Sequence, residues 1–207
     1  MNRYMGRCID SLIERDLGIF GAVLIQGPKW CGKTTTAQRF AESLLSLSDP
    51  AGDFAALQLA RLDPAQALIG ATPRLVDEWQ EEPKLWDAIR FECDRRTDEP
   101  GQFLLTGSST PNDANQPMHS GIGRISRLRM ETMTLFELGV SSGSVSLETL
   151  FNGCSVNAAL GSINGTTGIA TCCAAAAGLR LLVRQLPMRC EYLLPTSMAS
   201  ANRMFEG

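Results

Sequence analysis

The sequence predicts an α/β fold in which two layers of helices cover a mainly parallel β-sheet, giving a three-layer sandwich. Two observations predict it. Apolar segments of strand length alternate along the chain with segments of helical periodicity, which is typical of βαβ units. A glycine-rich octapeptide, residues 27–34, also lies directly between the first of these apolar segments and a helical one.

The first two elements flank this octapeptide. The apolar run Ala22–Ile25 predicts a buried strand. The segment Thr34–Leu45 predicts a helix, because Phe40, Leu44 and Leu45 fall on one side of it at helical spacing. We therefore expect a strand, a loop and a helix in direct succession.

The other elements follow from the same periodicities and from turn residues. The segment 53–69 is expected to hold one or two short helices, with Asp63 and Pro64 as start signals for the second. Residues 110–123 are polar and contain glycine, so we expect a surface loop there. The remaining predicted elements are helices over Cys8–Leu17, Asp53–Ile69 and Glu82–Arg96, a helical turn over Thr134–Leu138, and strands over Arg74–Trp79, Gln102–Thr106 and Ile125–Met130.

The octapeptide fits the pattern G-x-x-x-x-G-K-[ST] of a phosphate-binding loop, or P-loop. Backbone N–H groups of such a loop converge on one spot, and the following helix adds positive potential there. Lys33 is predicted to reach the β- and γ-phosphates, and Thr34 to ligate Mg²⁺. The predicted nucleotide-binding residues are Gly27, Pro28, Lys29, Trp30, Cys31, Gly32, Lys33, Thr34 and Thr35.

Two acids at the end of the strand over residues 74–79 indicate chemistry beyond binding. An acid at the carboxyl end of a strand beside a phosphate loop can hold Mg²⁺, so Asp77 is predicted to do so together with Thr34. A second carboxylate can orient or deprotonate water, and Glu78 is predicted as this catalytic base. The alternative is a pair of solvated acids at a strand end.

A hydroxyl group and an arginine complete the predicted catalytic set. Thr106 ends a core strand and is predicted to fix the attacking water, although an ordinary strand exit is the alternative. Arg124 is chosen over Arg127 and Arg129 to contact the γ-phosphate, because the glycines before it permit close approach. A solvated basic edge remains the alternative. Whether this arginine acts in its own subunit or on a neighbour stays open.

Composition limits the class of protein. The 207 residues can bury one sizeable core, and a net charge of −3 gives no basic footprint for nucleic acid. The seven cysteines follow neither a disulfide nor a zinc pattern, so we expect reduced thiols in a cytoplasmic protein. Neither a signal peptide nor a membrane span is expected. No guanine-reading motif is present, which favours ATP as the nucleotide.

From Arg7 to about Phe151 the chain resembles a family of bacterial and archaeal AAA-type ATPases, in which a P-loop core precedes a C-terminal domain of unknown function. The resemblance implies an AAA-like P-loop fold, ATP at the loop, magnesium at Thr34 and Asp77, and hydrolysis assisted by Glu78. The stretches that carry it are Gly21–Thr36, Pro73–Gln80, Leu85–Arg90, Gly101–Ser108 and His119–Ile125.

After Gly153 the resemblance stops. The remaining stretch has no lysine and no aspartate, yet it contains four of the seven cysteines. Family members carry a segment like Tyr-Leu-Leu-Cys-Arg-Gly-Gly-Trp-Pro here, and its GC-rich codons, read one base out of register, encode the sequence of Thr171–Leu179. We expect an ATPase core over residues 1–153 and a poorly ordered, out-of-frame tail over 154–207, which the nucleotide sequence can test. A genuinely divergent tail is the alternative.

The sequence thus predicts ATP binding and Mg²⁺-dependent hydrolysis by a truncated family member. A second copy or a protein partner is expected to engage through the missing C-terminal domain. The alternatives are a small-molecule kinase and a nucleotide-dependent interaction module without turnover. Glu78 beside Asp77 favours water as the phosphoryl acceptor over a metabolite.

Overall fold

A parallel five-stranded β-sheet forms the centre of the unit that spans residues 8–131. In this computed structural model the described residues are 4–108, 121–139, 141, 143 and 150–153. A second unit consists of residues 1–7 and 132–207. The elements of the first unit are α1 (Asp10–Leu17), β1 (Ala22–Gly27), α2 (Lys33–Gln38), β2 (Ser43–Ser46), α3 (Ala51–Leu62), α4 (Pro64–Ala67), β3 (Arg74–Asp77), a 3₁₀ turn (Trp79–Glu81), α5 (Lys84–Arg95), β4 (Phe103–Ser108) and β5 (Ile125–Arg129).

The strand order is β2-β3-β4-β1-β5, and each neighbouring pair is parallel. The carboxyl ends of all five strands therefore lie at one edge of the sheet. The register aligns Ile25 of β1 with Thr106 of β4, and Thr106 with Asp77 of β3. Residues that follow β1, β3 and β4 consequently meet at this edge.

Helices cover both faces of the sheet, as the three-layer prediction requires. On one face Leu24 and Leu105 pack in a cluster with residues of α3, α4 and α5, among them Ile89. On the other face Val23 and Leu104 pack with residues of α1 and α2. Because β1 and β4 are buried on both faces, their sequences are continuous apolar runs, as expected for central parallel strands.

The predicted helix Thr34–Leu45 is wrong in its second half. Helix α2 ends at Gln38, and the chain turns into the strand β2, which pairs in parallel with β3. Leu45 and Leu47 are buried while Leu44 is 46% exposed, so burial here has the period of a strand. The alternation of leucine with serine over residues 45–48 carried this signal, but pairing with β3 decided it.

Two helices lie over residues 51–67, and the predicted start of the second at Asp63 and Pro64 is confirmed. Helix α4 begins at Pro64, and the Asp63 carboxylate caps it by accepting a hydrogen bond from the Gln66 backbone N–H at 3.0 Å. In the first turn of α3, residues 52–54 have left-handed φ values of 60°, 56° and 58°.

Replacing Asp63 with alanine is expected to lower the free energy of unfolding by about 1 kcal/mol, the usual cost of a lost N-cap. Urea denaturation of the two proteins measures the change. Asp98→Ala, at an exposed position after α5, is the matched control. A variant as stable as the parent chain would contradict the capping role.

Cys93 of α5 is a buried free thiol. Burial raises the pKa of the Cys93 thiol to about 11. No helix within the described ranges is long and apolar enough to cross a membrane. The predicted tail over 154–207, the polar loop over 110–120 and His119 lie outside the described residues, so the predicted boundary after Gly153 stays a prediction.

Candidate active site

The loop between β1 and α2 has the curled backbone that its glycine pattern predicts. Gly32 adopts a left-handed conformation with φ 97° and ψ 18°, which a residue with a Cβ rarely adopts. Trp30 also has a positive φ, 69°, and its side chain is 68% exposed. The first N–H groups of α2 have no partner within the helix, so they remain as donors at the end of the loop.

Gly27 is needed for a reason that the sequence did not indicate. A Cβ at this position would lie 2.1 Å from the backbone carbonyl oxygen of Met130, just after β5. The backbone N–H of Met130 also donates to the Gln26 carbonyl at 2.7 Å. Close approach of two backbones thus requires glycine here, at a position that the sequence marks only as part of the G-x-x-x-x-G-K-[ST] pattern.

Lys33 turns its ammonium group toward the loop itself. Its Nζ donates to the backbone carbonyls of Gly27, at 3.1 Å, and Pro28, at 2.9 Å, and the residue is 7% exposed. These neutral acceptors hold the charge at the start of the loop. A phosphate group near the loop would offer the ammonium a stronger, charged acceptor.

Three side chains meet at the carboxyl ends of the central strands. Thr34 Oγ1 donates to Asp77 Oδ1 at 2.8 Å, and Thr106 Oγ1 donates to the same oxygen. Asp77 and Thr106 are 8% and 1% exposed, so both are held within the packed end of the sheet. The structure therefore brings together the predicted Mg²⁺ residues and Thr106, although Thr106 contacts Asp77 here.

These groups are chemically suited to a magnesium ion. Mg²⁺ prefers hard oxygen ligands and is commonly bound by one or two carboxylates together with substrate phosphates. Thr34 donates its proton to Asp77, which leaves the lone pairs of its hydroxyl oxygen for a cation. The donor set of Thr34 and Asp77 thus fits the predicted ion.

Glu78 follows Asp77 at the point where β3 turns into the 3₁₀ segment. Its backbone is left-handed, with φ 58° and ψ 47°, which is uncommon for a residue other than glycine. Its carboxylate accepts a hydrogen bond from the side-chain amide of Gln80. No sequence motif marks Gln80 as a site residue, because a glutamine two residues after a pair of acids belongs to none.

Arg124 is the predicted residue that the structure does not bring to this site. Arg124 precedes β5, and its backbone carbonyl accepts from the Ala22 N–H at the start of β1. The loop begins five residues further along β1, about 16 Å away at 3.3 Å per residue. The guanidinium pairs with Asp94 of α5 at 2.6 Å. Within its own subunit, Arg124 therefore lies at the opposite edge of the sheet from the phosphate loop.

The other two arginines considered are also engaged elsewhere. The Arg127 guanidinium lies over the ring of Trp86, with 5.1 Å between its carbon and the ring centroid. Arg129 forms an ion pair with Glu131 at 2.5 Å. Neither interaction involves the residues of the loop.

Solved structures that match the chain include two with TM-scores of 0.37 and 0.40. The AAA domain of FIGL-1 in complex with ADP is 15% identical to the chain, with a TM-score of 0.37 over 90% of this chain and 77% of that one. RuvB from Thermotoga maritima is 19% identical, with a TM-score of 0.40 over 65% and 48%. At these TM-scores neither structure identifies a function for the chain.

Sequence comparison identifies the family. Uncharacterized protein Rv2008c of Mycobacterium tuberculosis and uncharacterized protein Mb2031c of Mycobacterium bovis are each 31% identical over 132 residues. The aligned region is 63% of this chain but 29% of each relative, so the chain spans less than a third of their length. A family model described as an AAA domain matches residues 20–139, more than half of the chain. The chain therefore belongs to this AAA-domain family, and its core has the fold of a nucleotide-binding P-loop ATPase.

Proposed function

We propose that the chain binds ATP with Mg²⁺ at the loop over residues 27–34 and hydrolyses it. The observation that carries the proposal is that the hydroxyl groups of Thr34 and Thr106 both donate to Oδ1 of Asp77 at the carboxyl edge of the sheet. Three different segments supply these groups, and the loop with Lys33 lies beside them. In open α/β sheets this edge is where ligands bind.

Each group has a distinct role in the proposed reaction. The loop amides and the Lys33 ammonium bind the β- and γ-phosphates and stabilise charge as the phosphoryl group leaves. Thr34 and Asp77 would hold Mg²⁺, which neutralises phosphate charge when bound. Glu78 accepts a proton from the attacking water as the water oxygen bonds to the γ-phosphorus and the bond to the ADP oxygen breaks. Thr106 keeps the Asp77 carboxylate in place.

Arg124 takes no part in this reaction within its own subunit. It pairs with Asp94 and lies at the other edge of the sheet, so a role toward a γ-phosphate would require a nucleotide held by a neighbouring copy. ATP binding and hydrolysis are the activities that the residues of the core would carry out.

Asp77→Asn tests the metal part of the proposal. We expect the Mg²⁺ concentration for half-maximal ATP turnover to rise by about tenfold or more, because a charged oxygen near the ion is replaced by a neutral one. Asparagine retains the shape of the side chain and an acceptor for Thr34 and Thr106. Turnover is measured by phosphate release across a Mg²⁺ titration.

Asp98→Asn, which removes an exposed carboxylate after α5, is the control and should leave the titration unchanged. An Asp77→Asn protein with the parent Mg²⁺ dependence would show that Asp77 does not serve the metal. Absence of any Mg²⁺-dependent hydrolysis in the parent chain would contradict the proposal as a whole.

A further inference from the structure

The side chain of Gln80 holds the carboxylate of Glu78. Gln80 lies in the 3₁₀ turn Trp79–Glu81, and its Nε2 donates a hydrogen bond to Glu78 Oε2. A carboxylate only accepts hydrogen bonds, so the nitrogen of the amide is the atom that must face it. The amide therefore has a defined orientation, with Nε2 toward the acid and Oε1 directed away.

The oxygen of the Gln80 amide lowers the stability of the folded chain. Gln80 Oε1 is buried and has no hydrogen-bond partner among the residues that the structure describes. Burial of an amide oxygen without a hydrogen bond disfavours the folded state. An apolar side chain of similar size would serve packing better at this position. Stability therefore does not account for a glutamine here.

Gly107 provides the space in which the amide lies. Gly107 follows Thr106 on β4, and a Cβ on it would be 2.6 Å from Gln80 Oε1 and 2.8 Å from Trp79 Nε1. Contacts this short would force the amide and the indole to move. The missing side chain on β4 thus permits the Gln80 amide to sit against the strand that carries Thr106.

Glu78 needs such support because its backbone alone does not orient its side chain. The left-handed conformation turns the chain sharply after β3, and a glutamate there has three side-chain torsions still to be fixed. A hydrogen bond from a neighbouring amide selects one arrangement of these torsions. Sites in which a supporting residue holds the reacting group need less reorganisation during the reaction.

We infer that Gln80 is a positioning residue for hydrolysis: it fixes Oε2 of Glu78 so that Oε1 receives the proton of the attacking water. The inference rests on the proposed function, since Glu78 needs positioning only if its carboxylate acts on water. Gln80 itself touches neither the nucleotide nor the water in this scheme. Its contribution is to turnover and not to ATP affinity.

Gln80→Leu tests the inference, because leucine keeps much of the volume and removes both polar atoms. We expect kcat to fall by about tenfold, the rate equivalent of one hydrogen bond. KM and the Kd for Mg·ATP, measured by calorimetry, should stay within about twofold of the parent values. The thermal unfolding midpoint should be unchanged or higher, since a buried oxygen without a partner is removed. Gln66→Leu, at an exposed position of α4, is the matched control for the same substitution.

A double-mutant cycle with Glu78→Gln decides whether Gln80 acts through Glu78. We expect Gln80→Leu to cause no further loss of single-turnover rate in the Glu78→Gln protein, because the carboxylate that it positions is gone. A loss of the same size in both backgrounds, a parallel loss of ATP affinity, or a wild-type kcat for Gln80→Leu would each overturn the inference.

A failure of the proposed function can be distinguished from a failure of the positioning role of Gln80. If the parent chain shows no ATP turnover, or if Glu78→Gln leaves turnover unchanged, hydrolysis through Glu78 is excluded and the role of Gln80 with it. If turnover depends on Glu78 but Gln80→Leu retains the parent rate, only the positioning role is excluded.

Discussion

Replacing Glu78 with glutamine is expected to lower the rate of ATP hydrolysis by a factor of roughly 10² or more, which is the usual contribution of a general base. Glutamine has nearly the same shape as glutamate, but its amide cannot accept the proton of water. Because the proposed phosphate and metal ligands are other residues, the Kd for Mg·ATP should change little. Single-turnover hydrolysis with excess enzyme measures the rate, and calorimetry measures the affinity.

The control for this prediction lies in the same 3₁₀ turn. Glu81 is an exposed carboxylate three residues further along, so Glu81→Gln removes an equal charge close by and should hydrolyse ATP at the parent rate. Equal rates for the parent and the Glu78→Gln protein would exclude Glu78 as the base. Loss of turnover in both variants would point to a general charge effect.

Lys33→Met is the second large effect, and it should act on binding. Methionine retains most of the aliphatic stem of a nearly buried side chain but lacks the ammonium group that is proposed to contact phosphate. Loss of a hydrogen bond to a charged partner corresponds to about 1.5–3 kcal/mol, so we expect the Kd for Mg·ATP to rise by roughly ten- to a hundredfold. Calorimetric titration of both proteins with Mg·ATP measures this.

Lys84→Ala, which removes an exposed lysine at the start of α5, should bind Mg·ATP like the parent chain. A circular-dichroism melt of Lys33→Met shows whether the fold survives the loss of the two hydrogen bonds to loop carbonyls. A folded Lys33→Met protein with unchanged affinity would contradict the assignment of the loop to phosphate binding.

The two substitutions separate binding from chemistry. Lys33→Met weakens binding and leaves the Glu78 carboxylate in place, whereas Glu78→Gln spares binding and removes the base. A chain that binds ATP without turnover would lose affinity in the first variant and show no change in the second. That result would favour the nucleotide-dependent interaction module over the hydrolase.

The conformation of the loop over residues 27–34 could be predicted from local sequence because its requirements are local. Gly32 must tolerate a positive φ, and Lys33 and Thr34 must follow it directly. Such constraints act over a few adjacent residues, so they are readable as a motif. The core strands could be predicted for a related reason, since strands buried on both faces need uninterrupted apolar residues.

Contacts between residues distant in the sequence could not be predicted where the local sequence fitted two structures or gave no indication at all. Strand β2 has leucines that also fit a helix, and only its pairing with β3 selects the extended form. The reason for Gly27 lies in Met130, about one hundred residues away. The distance of Arg124 from the loop follows from the parallel direction of β5, which no local pattern reveals.

The amino-acid sequence by itself determined the family, the α/β class and the residues of the loop. Each of these depends on residues that are close together in the sequence, through local backbone conformation or the spacing of apolar side chains. Only the tertiary structure decided which side chains share a site. Thr34, Asp77 and Thr106 meet because parallel strands end at one edge of the sheet, and Gln80 reaches Glu78 because the turn after β3 folds against a glycine of β4. Burial and strand order are properties of the whole packed chain, so they became visible only in the fold.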